Sequence, residues 1–418
     1  MAGVAIIGSG VSGLTAAYAL SQQGTVTLFE RDDRFGGHAH THDVADASGR
    51  TQHVDSGFIV HNDRTYPTLL RLFAELGIAT QPTEMSMSIR CDGCGLEYAG
   101  GRGAAAILAQ PRRLADPRFV RMLTEVPRFH RAARRLLDDP TLGDPDWGTF
   151  LDDAGFSDYF VRHFAIPLVS CVWSSGDADT RRYPARHLFA FLANHGMLSV
   201  SGSPLWRTVT GGSGTYVRAV VARLDAARVA TPVVAVRRHA DGVEVTTADG
   251  TTSQFDAAVI ATHADDALRI LADATDEERR DLAAFGYSTN TTWLHRDASV
   301  LPRSTRARAS WNYRIDSCRA EVPRVHVSYW MNRLQALDAQ EDYLVTLNPG
   351  DAVAPDRVIA SMEYTHPVFT RDAVAAAPRL RATGGPRLAF AGAHLGWGFH
   401  EDGARSGLEA ARRLGATW

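Results

Sequence analysis

Residues 4–13 read Val-Ala-Ile-Ile-Gly-Ser-Gly-Val-Ser-Gly, and the next apolar run ends in an acid, Glu30. A short apolar strand is followed by Gly8, Gly10 and Gly13 at G-x-G-x-x-G spacing, and then by the helical pattern Leu14, Ala17, Tyr18, Leu20. A second strand over residues 25–29 leads into Glu30, 17 positions beyond the last glycine. Each part has a physical task in a βαβ unit that holds a dinucleotide. Gly8 permits a tight turn, Gly10 lets a pyrophosphate approach the backbone, and Gly13 lets helix pack on strand. Val11 and Ser12 open the helix, whose N-terminal amides attract phosphate. The Glu30 carboxylate can accept both hydroxyls of an adenosine ribose.

The 418 residues suffice for two interleaved lobes with a sizeable core. A net charge of −3 gives no general attraction to nucleic acid. There is no apolar run long enough to span a bilayer and no basic-then-apolar leader. A cytoplasmic location is therefore expected, with a peripheral contact at the inner membrane face as an added expectation. Four cysteines in a chain this long do not suggest a disulfide framework. The chain has no lysine, so all 44 Lys+Arg positions are arginine and no mechanism can depend on a lysine.

The nucleotide pattern is not confined to one stretch. Residues 43–55 read as a hairpin and Pro67–Leu76 as a helix. Strands are expected at 85–90 and 96–98 around Cys91-Asp92-Gly93-Cys94, then helices to about 194. A helix over 216–224 is followed by strands at 229–236, 242–247, 251–255 and 257–261. Residues 285–365 alternate apolar and polar in five runs, as in a sheet with one face toward a pocket. A last strand at 388–391, a Gly/aromatic loop and a helix from about Ala404 close the chain. The fold expected is α/β: a Rossmann-like lobe of the glutathione-reductase type (1–60, 205–270 and 380–418) with an interleaved α+β substrate lobe (61–204 and 271–379). A nucleotide lobe split in three points to FAD rather than to a nicotinamide cofactor.

After Glu30 come Arg31, Arg34, Gly36, Gly37 and His38. Paired glycines bring backbone amides to the pyrophosphate and ribityl chain, and Arg34 offsets phosphate charge. Gly392 sits in Phe390-Ala391-Gly392-Ala393-His394, and Gly403, Ala404 and Ser406 sit in the small-residue helix start that follows. That helix start carries partial positive charge suited to a reduced anionic flavin. Gly8, Gly10, Gly13, Glu30, Arg34-x-Gly36-Gly37, Asp55-Ser56-Gly57 and the Gly392…Gly407 ending resemble the flavin-containing amine oxidase and phytoene desaturase superfamily. Gly57-Phe58-Ile59-Val60-His61-Asn62 and Gly398-Phe399-His400-Glu401-Asp402-Gly403 are similar to a narrower group. Its members are bacterial NAD/FAD-binding flavoproteins associated with cyclopropane-fatty-acid-synthase-like enzymes.

The resemblance implies that Gly57 and Phe58 lie at the flavin, that Val234 meets the adenine through its backbone, and that Gly212 lies near the cofactor lobe. It implies an FAD-dependent oxidoreductase of oxidase or desaturase type acting on an acyl chain, with oxygen or another acceptor taking the electrons. Many amine oxidases of the superfamily hold a lysine–water pair at the flavin, which this chain cannot do. An amine or amino-acid oxidase and a non-redox flavin-dependent isomerase or lipid-complex component are the rival readings.

His61, His394, His400 and Glu401 are the catalytic candidates, because they fall in loops expected around the flavin; Trp397 joins them at the substrate. Trp173, Tyr329 and Trp330 are candidates for an apolar tunnel. His38-x-His40-x-His42 abuts the flavin loop, and Cys91-x-x-Cys94 lacks a second C-x-x-C, so no metal is expected. Arg112, Arg113, Arg118, Arg121, Arg128, Arg131, Arg134 and Arg135 alternate with apolar residues, so 112–135 is read as a basic amphipathic region suited to an anionic membrane. The partner expected is a small apolar or acyl substrate; the oligomeric state is open.

Overall fold

The computed structural model describes residues 3–199, 202–318 and 324–418. A five-stranded parallel sheet carries the nucleotide end: β1 (Val4–Ile7), β2 (Val26–Phe29), β3 (Ala226–Arg228), β4 (Ala257–Ile260) and β5 (Leu388–Phe390). Their order in space is β3-β2-β1-β4-β5, the doubly wound order in which ligands bind beyond the strands' carboxyl ends. Ala5, Ile6 and Leu28 are fully buried, as strands covered on both faces must be. The strands come from three separated stretches of the chain.

Helix α1 (Val11–Ser21) is buried from Val11 to Leu20, so it is apolar all round rather than on one stripe. Gly8 has φ +100°, closed to other residues, and a Cβ on Gly13 would overlap the Gly8 carbonyl. Around Gly10 there is no protein atom within 4 Å of a built Cβ, so that side of the turn stays open.

A mixed seven-stranded sheet forms the other lobe. Its order is Val358–Val368, Gly286–His295, Leu344–Leu347, Val327–Trp330, Trp311–Ile315, Met87–Cys91, Leu96–Gly100. Only the pairing of Trp311–Ile315 with Met87–Cys91 is parallel. Helix α3 (Pro117–Asp138), preceded in the chain by α2 (Pro67–Leu76), sends Phe119, Met122 and Phe129 into the core that also holds Ile89, Leu96 and Tyr98 of the last two strands. α3 is capped at its N-terminus by Asp116, which accepts from the Arg118 amide. No helix of the described residues is long and apolar enough to cross a membrane.

Two expectations are corrected. The strand expected at 229–236 begins only at Val233: residues 229–232 are a loop, and an unexpected short strand, β3, ends before them at Arg228. Ala230, at φ +50°, and Pro232 break the run, because neither supports ladder pairing. The last helix, α4 (His400–Arg413), begins at His400 rather than Ala404. Gly403 and Gly407 lie inside it and face α1. A Cβ on Gly407 would overlap the Ser12 carbonyl, and one on Gly403 would crowd the Val11 side chain. These glycines serve close helix packing.

Glu401 has a structural task as well. Its carboxylate accepts from the Thr68 and Leu69 amides, both at 3.0 Å, and so caps the start of α2, where Tyr66 offers no side-chain acceptor. It is 8% exposed, and each of its oxygens accepts from an α2 amide. Replacing it by glutamine keeps one acceptor and sets an amide donor against a backbone donor. Glu401→Gln should lower stability by about 1–2 kcal/mol, read as an earlier thermal midpoint. The turnover of the surviving folded enzyme should be unchanged; a tenfold loss of turnover at full flavin content would restore the catalytic reading.

Candidate active site

A cavity of about 1630 Å³ runs from the glycine turn after β1 into the second lobe. Small-molecule pockets span roughly 300–1,000 Å³, so this one has room for a large cofactor and a second molecule. Gly8, Ser9, Gly10, Val11, Ser12, Glu30, Arg31, Arg34, Gly37 and His38 line its nucleotide end, joined by Thr231, Val233 and Val234. Gly57, Phe58, Gly392, His394 and His400 line its middle. The sequence reading thus placed most of its cofactor candidates on one surface.

The nucleotide end is organised by one serine. Ser9 donates through both its amide and its hydroxyl to Glu30 Oε2, while the hydroxyl accepts from the Gly36 amide at 2.9 Å. Glu30 Oε1 accepts from the Asp32 amide at 3.0 Å. A carboxylate has about four lone-pair positions; three are used, and the remaining capacity is on Oε1. The 229–232 loop is bound to this edge, Thr231 donating to the Glu30 carbonyl and Ala230 to that of Asp32.

Arg34 supplies the test of fit for a phosphate-bearing group. Its Nη1 is buried with no hydrogen-bond partner, and no acid lies within ion-pair distance of it among the described residues. A buried guanidinium nitrogen without an acceptor is costly. Beside an open Gly10 and the N-terminus of α1, the acceptor it lacks is anionic. Arg31 differs: it is 58% exposed and pairs with Asp266 at 3.0 Å at the rim.

Gly13, Gly36, Gly403, Ala404 and Ser406 lie behind the cavity wall. Ser406 accepts from the Gly392 amide at 2.9 Å and so ties the β5 exit to α4. A Cβ on Gly36 would meet the Ala39 carbonyl at 2.5 Å. Gly212, at φ +84°, packs on Thr41, and the neighbouring Ser213 amide donates to buried Asp55. These residues shape the site from outside. The α4 start carries Glu401 and Asp402 in its own first turn, which offsets part of its positive end. Asp402 is pushed up to about 6 by burial and accepts from the Phe399 amide.

The catalytic candidates divide. His394 and His400 face the cavity; burial pushes both down to about 3, so both imidazoles are neutral at ordinary pH. His400 stacks on Phe58 with ring centroids 3.6 Å apart, and its Nε2 meets the Tyr216 hydroxyl at 2.9 Å. His61 is fully buried behind this pair, both ring nitrogens unpartnered, and does not reach the cavity lining. His40 and His42 are bound to Tyr364 and Ser56.

The second half of the cavity is apolar. Ile89, Met122, Val126, Phe164, Leu168, Val172, Trp173, Phe191, Trp311 and Tyr329 contribute to its wall. Trp173 and Tyr329 are where the tunnel reading put them. Trp330 is not, since neighbours on a strand point to opposite faces, and its indole donates to Asp342. Trp397 lies behind the wall, its carbonyl accepting from the Trp173 indole at 3.0 Å. His195 was not anticipated. It lines the cavity among Phe191, Trp206 and Phe399, and its Nδ1 donates to the Phe191 carbonyl at 3.0 Å, leaving the lone pair on Nε2. Its only sequence signal was a histidine at the end of an apolar helix.

Comparison with known proteins agrees with this geometry. The model of the family described as flavin-containing amine oxidoreductase matches residues 11–294. Coproporphyrinogen III oxidase of Mycobacterium tuberculosis (strain ATCC 25618 / H37Rv) is 26% identical over 299 residues, covering 64% of this chain and 60% of that protein. Cyclohexylamine oxidase from Brevibacterium oxydans IH-35A has a similar structure, with a TM-score of 0.71, 16% identity and coverage of 99% of this chain and 98% of that one. A CLA-producing fatty acid isomerase from P. acnes reaches a TM-score of 0.67 at 17% identity, with the same coverage. These two likenesses show a shared fold. With a family match over residues 11–294 and a groove whose free arginine and open glycine suit a dinucleotide, the chain belongs to the flavin-containing amine oxidoreductase family, and FAD is its cofactor.

Proposed function

We propose that the protein is an oxidoreductase that removes hydride from a carbon of an apolar substrate, with a fatty-acyl chain, free or phospholipid-borne, as the substrate class. The observation that carries this reading is the apolar half of the cavity. The carboxylates on the cavity wall are Glu30, Asp32, Glu84, Asp266 and Glu363. The first two and Asp266 belong to the nucleotide end. Glu84 is held by Arg333 at 2.8 Å and Arg102 at 3.1 Å, and Glu363 is solvent-exposed. An ammonium entering the apolar half would find no free counter-charge, whereas an acyl chain gains about 0.8 kcal/mol per buried CH₂.

In this reading residues 1–60, 205–270 and 380–418 form the FAD lobe and residues 61–204 and 271–379 the substrate lobe. Arg34 and the α1 amides hold the pyrophosphate, Glu30 the ribose, and Val234 the adenine. When bound, FAD supplies a two-electron acceptor at N5. His394 and His400, neutral by burial, line the cofactor without adding positive charge. Aromatic and aliphatic side chains exclude water from the reacting carbon. Loss of hydride from one carbon and a proton from its neighbour leaves a double bond. His195 Nε2 is the proton acceptor, and because burial pushes His195 to about 4 it passes that proton on at neutral pH.

Delivery of such a substrate from a membrane is supported by the surface around α3. Leu114, Val120 and Leu205 are 52%, 39% and 69% exposed, and Arg112 and Arg131 have no ion pair within 4.0 Å among the described residues. Other arginines of the stretch are engaged, Arg118 with Asp116, Arg121 with Glu125 and Arg134 with the Leu198 carbonyl.

Three outcomes test these readings. Arg34→Ser should weaken FAD retention at least tenfold, measured by flavin absorbance after gel filtration; full retention removes Arg34 from the phosphate site. Anaerobic mixing of the holoenzyme with acyl substrates should bleach the flavin, and His195→Gln should slow that bleaching tenfold or more; bleaching by amines alone would favour an amine oxidase. Vesicles containing anionic phospholipid should co-sediment the protein, and Arg112→Ser with Arg131→Ser should weaken this by several-fold at low salt; equal pelleting of wild type and variant would remove the membrane contact.

A further inference from the structure

Four soft ligands converge on one point away from the flavin groove. The sulfurs of Cys91, Cys94 and Cys318 and a ring nitrogen of His163 all lie within 4.8 Å of one another. They come from three elements far apart in the chain. Cys91 and Cys94 sit on the turn joining Met87–Cys91 to Leu96–Gly100. His163 lies in a single π-helical turn, Val161–Ala165, and Cys318 follows the strand Trp311–Ile315. All four cysteines of the chain are free of disulfides.

We propose that this cluster is a structural zinc(II) site of the Cys₃His type. Tetrahedral zinc takes sulfur at about 2.3 Å and nitrogen at about 2.0–2.1 Å, which puts a ligating sulfur and nitrogen about 3.5 Å apart. Cys94 Sγ lies 3.6 Å from His163 Nε2. His163 Nδ1 meets the Tyr159 carbonyl at 3.0 Å, and a carbonyl only accepts, so the proton is on Nδ1. With its proton on Nδ1, His163 turns Nε2 toward the sulfurs, with the outer hydrogen bond that metal-bound histidines use to fix tautomer and ring orientation. π-helical turns inside α-helices recur at functional positions; this one carries the histidine ligand.

The turn around the cysteines is built for the same purpose. The turn's own amides meet the sulfurs, that of Cys94 the Cys91 sulfur and that of Leu96 the Cys94 sulfur. A Cβ on Gly93 would meet the Cys318 amide nitrogen at 3.0 Å, so glycine there lets the third cysteine's segment lie against the turn. Binding replaces three S–H bonds by Zn–S bonds and releases three protons to solvent. The spacing Cys91-x-x-Cys94 carries no sign of this in the sequence, because the other two ligands are supplied by packing rather than by a second local pair. The metal would clamp the Ile89 and Tyr98 hairpin to Phe164, and so hold one wall of the apolar chamber; the Tyr98 hydroxyl already donates to the His163 carbonyl at 2.7 Å.

Elemental analysis of the purified full-length holoprotein should find one zinc per chain, and Cys318→Ser and His163→Gln should each lower it to near zero. Exchange of the wild-type metal for cobalt(II) should give the intense thiolate charge-transfer and visible d–d bands of a tetrahedral sulfur-rich site, a readout independent of whether the variants fold. Four alkylatable thiols in metal-free wild-type protein, a Cys91–Cys94 disulfide, or iron as the bound metal would each overturn the assignment.

Discussion

The Ser9 hydroxyl is the point on which the nucleotide end depends. It donates to the Glu30 carboxylate and accepts from the Gly36 amide, so one oxygen fixes the β1–α1 turn, the end of β2 and the paired-glycine loop relative to each other. Ordering three loops separately would cost about 1–2 kcal/mol of backbone entropy per residue held. The network is satisfied without a ligand, so the groove is shaped before the cofactor arrives. Arg34 and His38 are the exceptions, each with a buried nitrogen left unmatched within a settled frame, and Arg34 alone of the two brings a fixed charge. Preorganised neighbours and one unmet charge together make a site that discriminates for an anion.

A division of labour follows between glycines. Gly10 leaves space for a ligand, whereas Gly13, Gly403 and Gly407 remove side chains so that α1 can touch its neighbours. A single local rule, small residues near a cofactor, cannot separate the two cases. The start of α4 illustrates this: Gly403, Ala404 and Gly407 suggest a helix beginning at about Ala404, yet the helix begins at His400 and the glycines are a packing seam within it. Glu401 shows the same difficulty. An acid in a flavin-side loop suggests chemistry, and only the position of α2 reveals that its two oxygens satisfy helix amides.

What could be read in the sequence was local. The G-x-G-x-x-G turn, Glu30 and the helix Pro67–Leu76 follow from neighbours a few residues apart. The apolar chamber was visible only in outline, since Trp173 and Tyr329 could be named but His195 could not. The loop at residues 229–232, between β3 and the strand from Val233, depends on Ala230 taking φ +50°, a conformation that its identity does not announce. The convergence of Cys91, Cys94, His163 and Cys318 depends on three elements meeting, which no spacing rule covers.

The parallel sheet has a consequence for the order of assembly. β1 and β2 are synthesised before their later neighbours: β1 gains its second neighbour only with β4, from residue 257 onward, and β4 is completed by β5 at residues 388–390. During that interval β1 has an unpaired edge and an apolar helix, α1, without its partner α4. Long-range pairing of this kind is slow and exposes sticky surface. The cofactor groove therefore becomes whole only when β5 and α4 are in place, which ties flavin loading to residues far along the chain from the glycine turn and makes loss of residues 388–413 a loss of the groove itself.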